Sequence, residues 1–201
     1  MSSDPSSPLH GKNVVLTGGT AGIGVGLFKE IVRLGAAKVF LLCRSQQRGE
    51  SLKSVGVNAG TAVEIVLANL NSMKEVVKAA QLICGSGIAI DLVFLNAGLM
   101  PGATAIMSAE GIEESLAVNV CCQHALVRTI IPTLAPGARI IVTGSDAGSF
   151  VKGSCDVANV NGAAPMGPIG FKQYARTKCL AHVSHACPVL DRHSPIGFPL
   201  S

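Results

Sequence analysis

Directly after a short β-branched run, Asn13–Leu16, the chain turns through TGGTAGIG, Thr17 to Gly24, with glycines at 18, 22 and 24. An amphipathic segment follows, carrying Phe28, Ile31 and Val32 on one face and closed by Gly35 as its C-terminal cap. This strand–turn–helix unit constrains the chain more than any other feature. Glycine permits a tight turn and lets the backbone approach a pyrophosphate. The helix N-terminus behind it offers unpaired N–H groups and the positive end of a dipole. The spacing departs from G-x-G-x-x-G, since Leu27 follows Gly24 where a third glycine would stand. On the turn alone, a strand-to-helix connection without a ligand stays open.

The same alternation runs on. Lys38–Cys43 and Ala62–Leu67 read as further strands, with Glu64 marking a partly exposed face on the latter. Ser72-x-x-Glu75 is a capping box opening a helix with Met73, Val76, Val77, Ala80 and Ile83. Asp91–Leu95 reads as a fourth strand, Glu110 to about Thr133 as a long helix, and Arg139–Thr143 as a fifth strand. A loop then runs from Gly144 to about Phe171, and a last helix from Tyr174 to about Ala186 is stopped by Pro188. Strands alternating with helices predict βαβ units: an α/β fold with a doubly wound parallel sheet. Composition agrees, because 48% hydrophobic against 14% charged residues suits strands buried on both faces.

The 201 residues suggest a single domain over 11–201, preceded by a Ser/Pro-rich disordered tail at 1–10 that lacks the apolar core of a signal peptide. No membrane span is expected, since the apolar runs are short or broken by Asp91 and Asn96. A net charge of +4 without a block of like charges does not call for nucleic acid. Seven cysteines, an odd number without a framework, predict free thiols in a reducing, cytoplasmic setting. Cys179, His182, His185 and Cys187 lie along one helical stretch and would not face one point, so no metal site is expected.

Thr17-Gly18-x3-Gly22-Ile23-Gly24 resembles the fingerprint of the short-chain dehydrogenase/reductase family. Four further motifs follow in that family's order: Asn96-Ala97-Gly98 after the fourth strand, Asn119 in mid-helix, Ser145 after the fifth strand, and Tyr174-x3-Lys178 opening the last helix. Together they span about Gly11 to Lys178. The resemblance implies a Rossmann-like domain in which Gly18, Thr20, Gly22, Ile23, Gly24, Asn96, Ala97, Gly98, Tyr174 and Lys178 bind a nicotinamide cofactor. Asn119, Ser145, Tyr174 and Lys178 would be catalytic.

The chemistry of those side chains is coherent. Tyr174 is the only tyrosine. A phenol ionises near pH 10, too high for a base at neutral pH, but Lys178 one helical turn on shares its face and favours the phenolate. Ser145 can donate to a carbonyl oxygen as it becomes an alkoxide. By resemblance, Asn119 holds a water that relays protons from Lys178, and Lys178 binds the nicotinamide ribose. The second strand ends Cys43-Arg44-Ser45 without a carboxylate until Glu50. A carboxylate there binds the ribose 2′-OH of NAD, whereas Arg44 and Ser45 suit the extra phosphate of NADP, so NADP is expected over NAD. Asn69-Leu70 stands where the family has Asp-Leu against the adenine.

Two departures matter. Ser145 and Tyr174 are 29 residues apart. That is a longer interval than in the family's simplest members, and it resembles the branch containing retinol dehydrogenases and protochlorophyllide reductases. A lipophilic carbonyl or alcohol substrate is expected on that ground. The sequence also ends 23 residues after Lys178, where the family continues through a sixth strand, a substrate-covering segment and a seventh strand. Ile196-Gly197-Phe198 resembles only the start of the sixth. The last strands are therefore expected to be incomplete, with the fifth at an exposed edge. Two readings follow: an NADP(H)-dependent oxidoreductase acting on a small molecule, or a truncated nucleotide-binding homologue with weak or no turnover. Homo-oligomers through the long helices are usual in the family.

Overall fold

Five parallel strands line up in the order β3-β2-β1-β4-β5: β1 Asn13–Thr17, β2 Lys38–Cys43, β3 Ala62–Leu67, β4 Ile90–Leu95 and β5 Leu134–Val142. The computed structural model describes residues 5–151, 160–161 and 170–186, and of 182–186 only the backbone. Helices connect the strands: α1 Ile23–Arg33, α2 Gln46–Asn58, α3 Met73–Gly85, α4 Glu114–Leu116 and α5 Cys122–Ile130, with α6 Phe171–Ala186 last. Ile196–Phe198 and Cys187 lie outside the described residues.

The strand periodicity divides the core in two. Val15, Phe40, Leu42, Val93 and Leu95 point to α3 and α5, meeting Val76, Ala80, Ile83, Leu126 and Ile130. Val14, Leu16, Val39, Leu41 and Val63 point the other way, to Phe28, Ile31 and Val32 of α1 and Leu52 of α2. Register across the centre is regular, Val14 lying opposite Val39 on one side and Leu92 on the other.

The sheet is legible in the sequence, but four features differ. Helix α2 was not expected, because its buried face is only Gly49, Leu52 and Gly56 and carries no apolar stripe. The long helix is broken: α4 passes into a π-helical segment, Ala117–Cys121, before α5, and a 3₁₀ turn Ile131–Thr133 follows. β5 starts earlier than expected, pairing Leu134 with Ile90 before a register shift brings Arg139 opposite Leu92. The capping box of α3 is half formed. Ser72 accepts from the Glu75 N–H, while the Glu75 carboxylate accepts from Asn69 N instead of Ser72 N.

Candidate functional site

All five strands run the same way, so the residues after β1, β2, β3, β4 and β5 gather at one end of the sheet. The glycine turn sits at its centre. Gly18 has φ 67°, and a Cβ there would lie 2.7 Å from the Ala97 Cα. A Cβ on Gly24 would clash with the Gly18 carbonyl oxygen. The turn therefore closes only without side chains at both positions. Helix α1 begins behind it with no side-chain cap and no acidic residue in its first turn. Ser45 and Ser72, by contrast, cap α2 and α3. The Gly24 and Val25 N–H groups donate to the Ala21 and Gly22 carbonyls, so what the first turn of α1 offers an anionic group is the positive end of its dipole, with no acidic side chain there. Thr20 is half-buried in the turn and Ile23 is exposed.

The Asn96-Ala97-Gly98 turn is bolted to the glycine turn. Asn96 Nδ2 donates to the Gly18 carbonyl at 3.2 Å, and Asn96 Oδ1 accepts from Thr143 Oγ1 at 3.2 Å. Thr17 Oγ1 accepts from Asn96 N and Ala97 N, both at 3.1 Å. The Asn96 side chain and Ala97 thus hold the turn, and Gly98 is exposed beside the site. Gln123, which the motifs did not point to, adds a buried amide whose Nε2 donates to the Ala97 carbonyl at 2.8 Å and the Val118 carbonyl at 3.1 Å. It thereby satisfies a carbonyl of the π segment.

Asn119 lies in that segment, buried. Its Oδ1 accepts from Leu99 N at 2.7 Å, and its Nδ2 donates to the Leu99 carbonyl at 2.9 Å and to Thr177 Oγ1 at 2.8 Å. The carboxamide is engaged with the chain itself. Lys178 is 5% exposed and donates from Nζ to the Thr143 carbonyl at 2.9 Å. Burial holds its pKa below the usual lysine value. A Cβ on Gly98 would lie 3.4 Å from Lys178 Nζ and 3.8 Å from Asn119 Oδ1, so the three expected residues do converge. The Tyr174 ring stands 5.8 Å from Lys178 Nζ. Ser145 follows β5 and caps a 3₁₀ turn, Asp146–Phe150, accepting from Ala147 N; α6 packs against that turn.

At the ends of β2 and β3, Arg44 is exposed, and Ser45 caps α2 by accepting from Arg48 N at 3.3 Å. Glu50, the first carboxylate after β2, is engaged by Gln46 at 2.6 Å. Asn69 Oδ1 accepts from Asn71 N, and Leu70 is buried. Among the described residues no His, Cys, Asp and Glu group could hold a metal ion.

The comparisons agree with this geometry. The short chain dehydrogenase family model matches residues 12–179. A short-chain dehydrogenase/reductase, phmF of Phaeosphaeria nodorum, is 31% identical over 142 residues, covering 69% of this chain and 42% of that protein. Mouse (Mus musculus) polyprenol dehydrogenase is 28% identical over 182 residues, covering 85% of this chain and 52% of its own length. The chain thus spans about half the length of these curated relatives. Among solved structures, an RhlG/NADP active-site complex from Pseudomonas aeruginosa superposes with a TM-score of 0.70 at 23% identity, over 90% of this chain and 67% of that one, which shows the shared fold. A parallel sheet with a glycine turn before α1 and a Tyr-x3-Lys helix over β5 defines a nucleotide-binding oxidoreductase fold. The chain belongs to the short-chain dehydrogenase/reductase family.

Proposed function

We propose that the protein is an NADP(H)-dependent oxidoreductase that interconverts a carbonyl and an alcohol on a lipophilic small molecule. The observation that carries this reading is the buried Lys178 ammonium beside the only tyrosine ring, next to Gly98. The cofactor fits the residues: the glycine turn leaves room only where side chains are missing, and α1 turns the positive end of its dipole, free of acidic side chains, towards a pyrophosphate. Arg44, together with the N-terminus of α2, suits a ribose 2′-phosphate, and β2 is not followed by the carboxylate that would bind a ribose 2′-hydroxyl until Glu50. The NADP of the Pseudomonas neighbour supports the same choice over NAD. Gly18, Thr20, Gly22, Ile23, Gly24, Asn96, Ala97 and Gly98 frame the dinucleotide, with Asn69 and Leu70 at the adenine.

When bound, the nicotinamide gives or takes the hydride. The chain's own groups handle the proton. The Tyr174 hydroxyl gives its proton to the substrate oxygen during reduction and takes it back during oxidation. Burial disfavours the Lys178 charge, so an anion beside it would be favoured. Ser145 donates a hydrogen bond to the oxygen as it gains charge. Asn119, clamped to Leu99 and Thr177, holds the π segment in place beside Lys178.

Exposed Met100, Phe150 and Phe171 near this end of the sheet favour an apolar substrate. No helix of the described residues is long and apolar enough to cross a membrane. We read the setting as cytoplasmic and the five described cysteines, all free, as its mark. Self-association through the long helices belongs to the same proposal. A second reading, nucleotide binding with weak turnover, is favoured by the half-exposed β5 on the substrate side. The test is NADPH fluorescence on mixing, followed by turnover over a panel of apolar aldehydes and ketones. Binding with turnover is expected. Binding without turnover selects the second reading, and no binding by folded protein overturns both.

A further inference from the structure

Glu113 is fully buried, 0% exposed, and takes part in none of the ion pairs among the described residues. Among the described residues its carboxylate is held by neutral donors alone: Ser115 N at 2.9 Å, Leu116 N at 3.0 Å, the Ser115 hydroxyl, and Gln173 Nε2 at 3.1 Å. Capping a helix does not require this, since Ser45 and Ser72 cap α2 and α3 with a neutral hydroxyl near the surface. A buried carboxylate without a cation is costly and survives only when every lone pair is used. The fourth bond, to Gln173, is the one that leaves the helix end and reaches a different element.

Gln173 is also 0% exposed and sits immediately before Tyr174. Its Nε2 donates to the Val160 carbonyl as well, at 3.0 Å, while the Glu113 N–H donates to Asn161 Oδ1 at 2.7 Å. Asn161 in turn donates to the Gly111 carbonyl. One turn further along α6, on the same face, Thr177 Oγ1 accepts from Asn119 Nδ2 and donates to the Tyr174 carbonyl, both at 2.8 Å. Helix α6 is therefore tied to the interrupted helix at two points, Gln173 to Glu113 and Thr177 to Asn119. Tyr174 and Lys178 are the residues that follow each tie, about 100° round the helix. One tie leaves a pivot, and two ties on one face stop rotation about the helix axis.

We propose that Glu113, acting through Gln173, is a positioning residue that sets the rotation of α6 and so aims the Tyr174 hydroxyl and the Lys178 ammonium at each other's neighbourhood. The proposal rests on the reading of Tyr174 and Lys178 as a coupled pair. The same clasp anchors Val160 and Asn161, so it also holds part of the long connection between Ser145 and Tyr174 against α4.

The chain supplies its own probe, since it has one tyrosine and no tryptophan. Phenolate absorbance of the protein alone therefore reads Tyr174 and nothing else, whether or not a substrate is known. Lys178→Met provides the reference, the displacement of the phenolate midpoint when the coupling is removed. Gln173→Met, of similar size and unable to donate, is expected to move the midpoint in the same direction by at least half that displacement, in a sample that circular dichroism shows to be folded. A folded Gln173→Met protein with the wild-type midpoint overturns the proposal, because a merely structural residue changes melting without moving the phenol. If Gln173→Met does not fold, the milder Glu113→Gln decides: a smaller shift in the same direction supports the clasp, and none overturns it. The parent reading fails separately, by an absence of NADPH binding in wild type while these midpoints still separate. Identical midpoints in wild type and Lys178→Met overturn both.

Discussion

Strands β1 and β2 differ from strand β5 both in residues, since β5 carries Pro136, Gly137 and Arg139, and in packing. Val14, Val15, Leu16, Val39, Phe40 and Leu41 are 0% exposed, whereas no residue of β5 is buried and Ile141 is 37% exposed. β1 and β2 have a neighbour on both edges and helices on both faces. β5 has β4 on one edge only among the described residues, and Leu134, Ile140 and Val142 lean on the α3–α5 core while only partly buried. On the opposite face, Leu92 and Phe94 of β4 are half-buried where α1 and α2 stop. The glycine-turn side is thus held by apolar packing. The Tyr174–Lys178 side is held by polar ties: Lys178 to Thr143, Asn119 to Thr177 and Glu113 to Gln173. Burial sets the stability of the first region, and hydrogen-bond geometry sets the aim of the second.

The largest effect that would break this contrast is in β2. Phe40→Ala is expected to cost about 3–5 kcal/mol in urea unfolding, and Ile141→Ala about 1 kcal/mol or less. Equal costs at the two sites would contradict the difference in packing. Next comes the joint between the regions. Thr17→Val removes a buried hydroxyl that serves Asn96 N and Ala97 N, and about 1–3 kcal/mol should be lost, together with NADPH affinity, as read by denaturation and fluorescence titration.

The smallest effect is a pH dependence. Burial pushes the Cys122 thiol up from its ordinary value of 9.0 to about 12. Between those values the unfolded chain has lost a proton that the folded chain retains, so this thiol makes stability fall as pH rises through that window. Wild type should lose about 1 kcal/mol more than Cys122→Ala between pH 8 and pH 10, measured by urea midpoints.

How far the sequence foretells this molecule follows the same divide. The strands, the glycine turn and the order of the motifs are legible because strand burial and turn chemistry are local signals. Helix α2 is not, since glycines on its buried face leave no stripe to read. Nor is the break at Ala117–Cys121, because the π segment depends on Leu99, Gln123 and Thr177 reaching it from elsewhere. Of the expected site residues, Asn119, Lys178 and Gly98 converge as their motifs imply, and Asn96 turns out to brace the glycine turn. Glu113, Gln173 and Gln123 are missed, as buried polar groups whose partners are distant in sequence. A faint signal exists for Glu113: an acidic pair, Glu113-Glu114, opens an apolar run, which is the place for a helix cap.

The central claim is that Tyr174 carries the proton while the glycine-turn side holds the cofactor independently of it. The direct measurement is Tyr174→Phe, assayed for NADPH affinity and for kcat on a carbonyl that wild type reduces. The account predicts affinity within about twofold and a kcat lower by about 10²–10⁴-fold, the usual contribution of a general acid or base. Wild-type turnover in the phenylalanine variant, with NADPH bound, would contradict it.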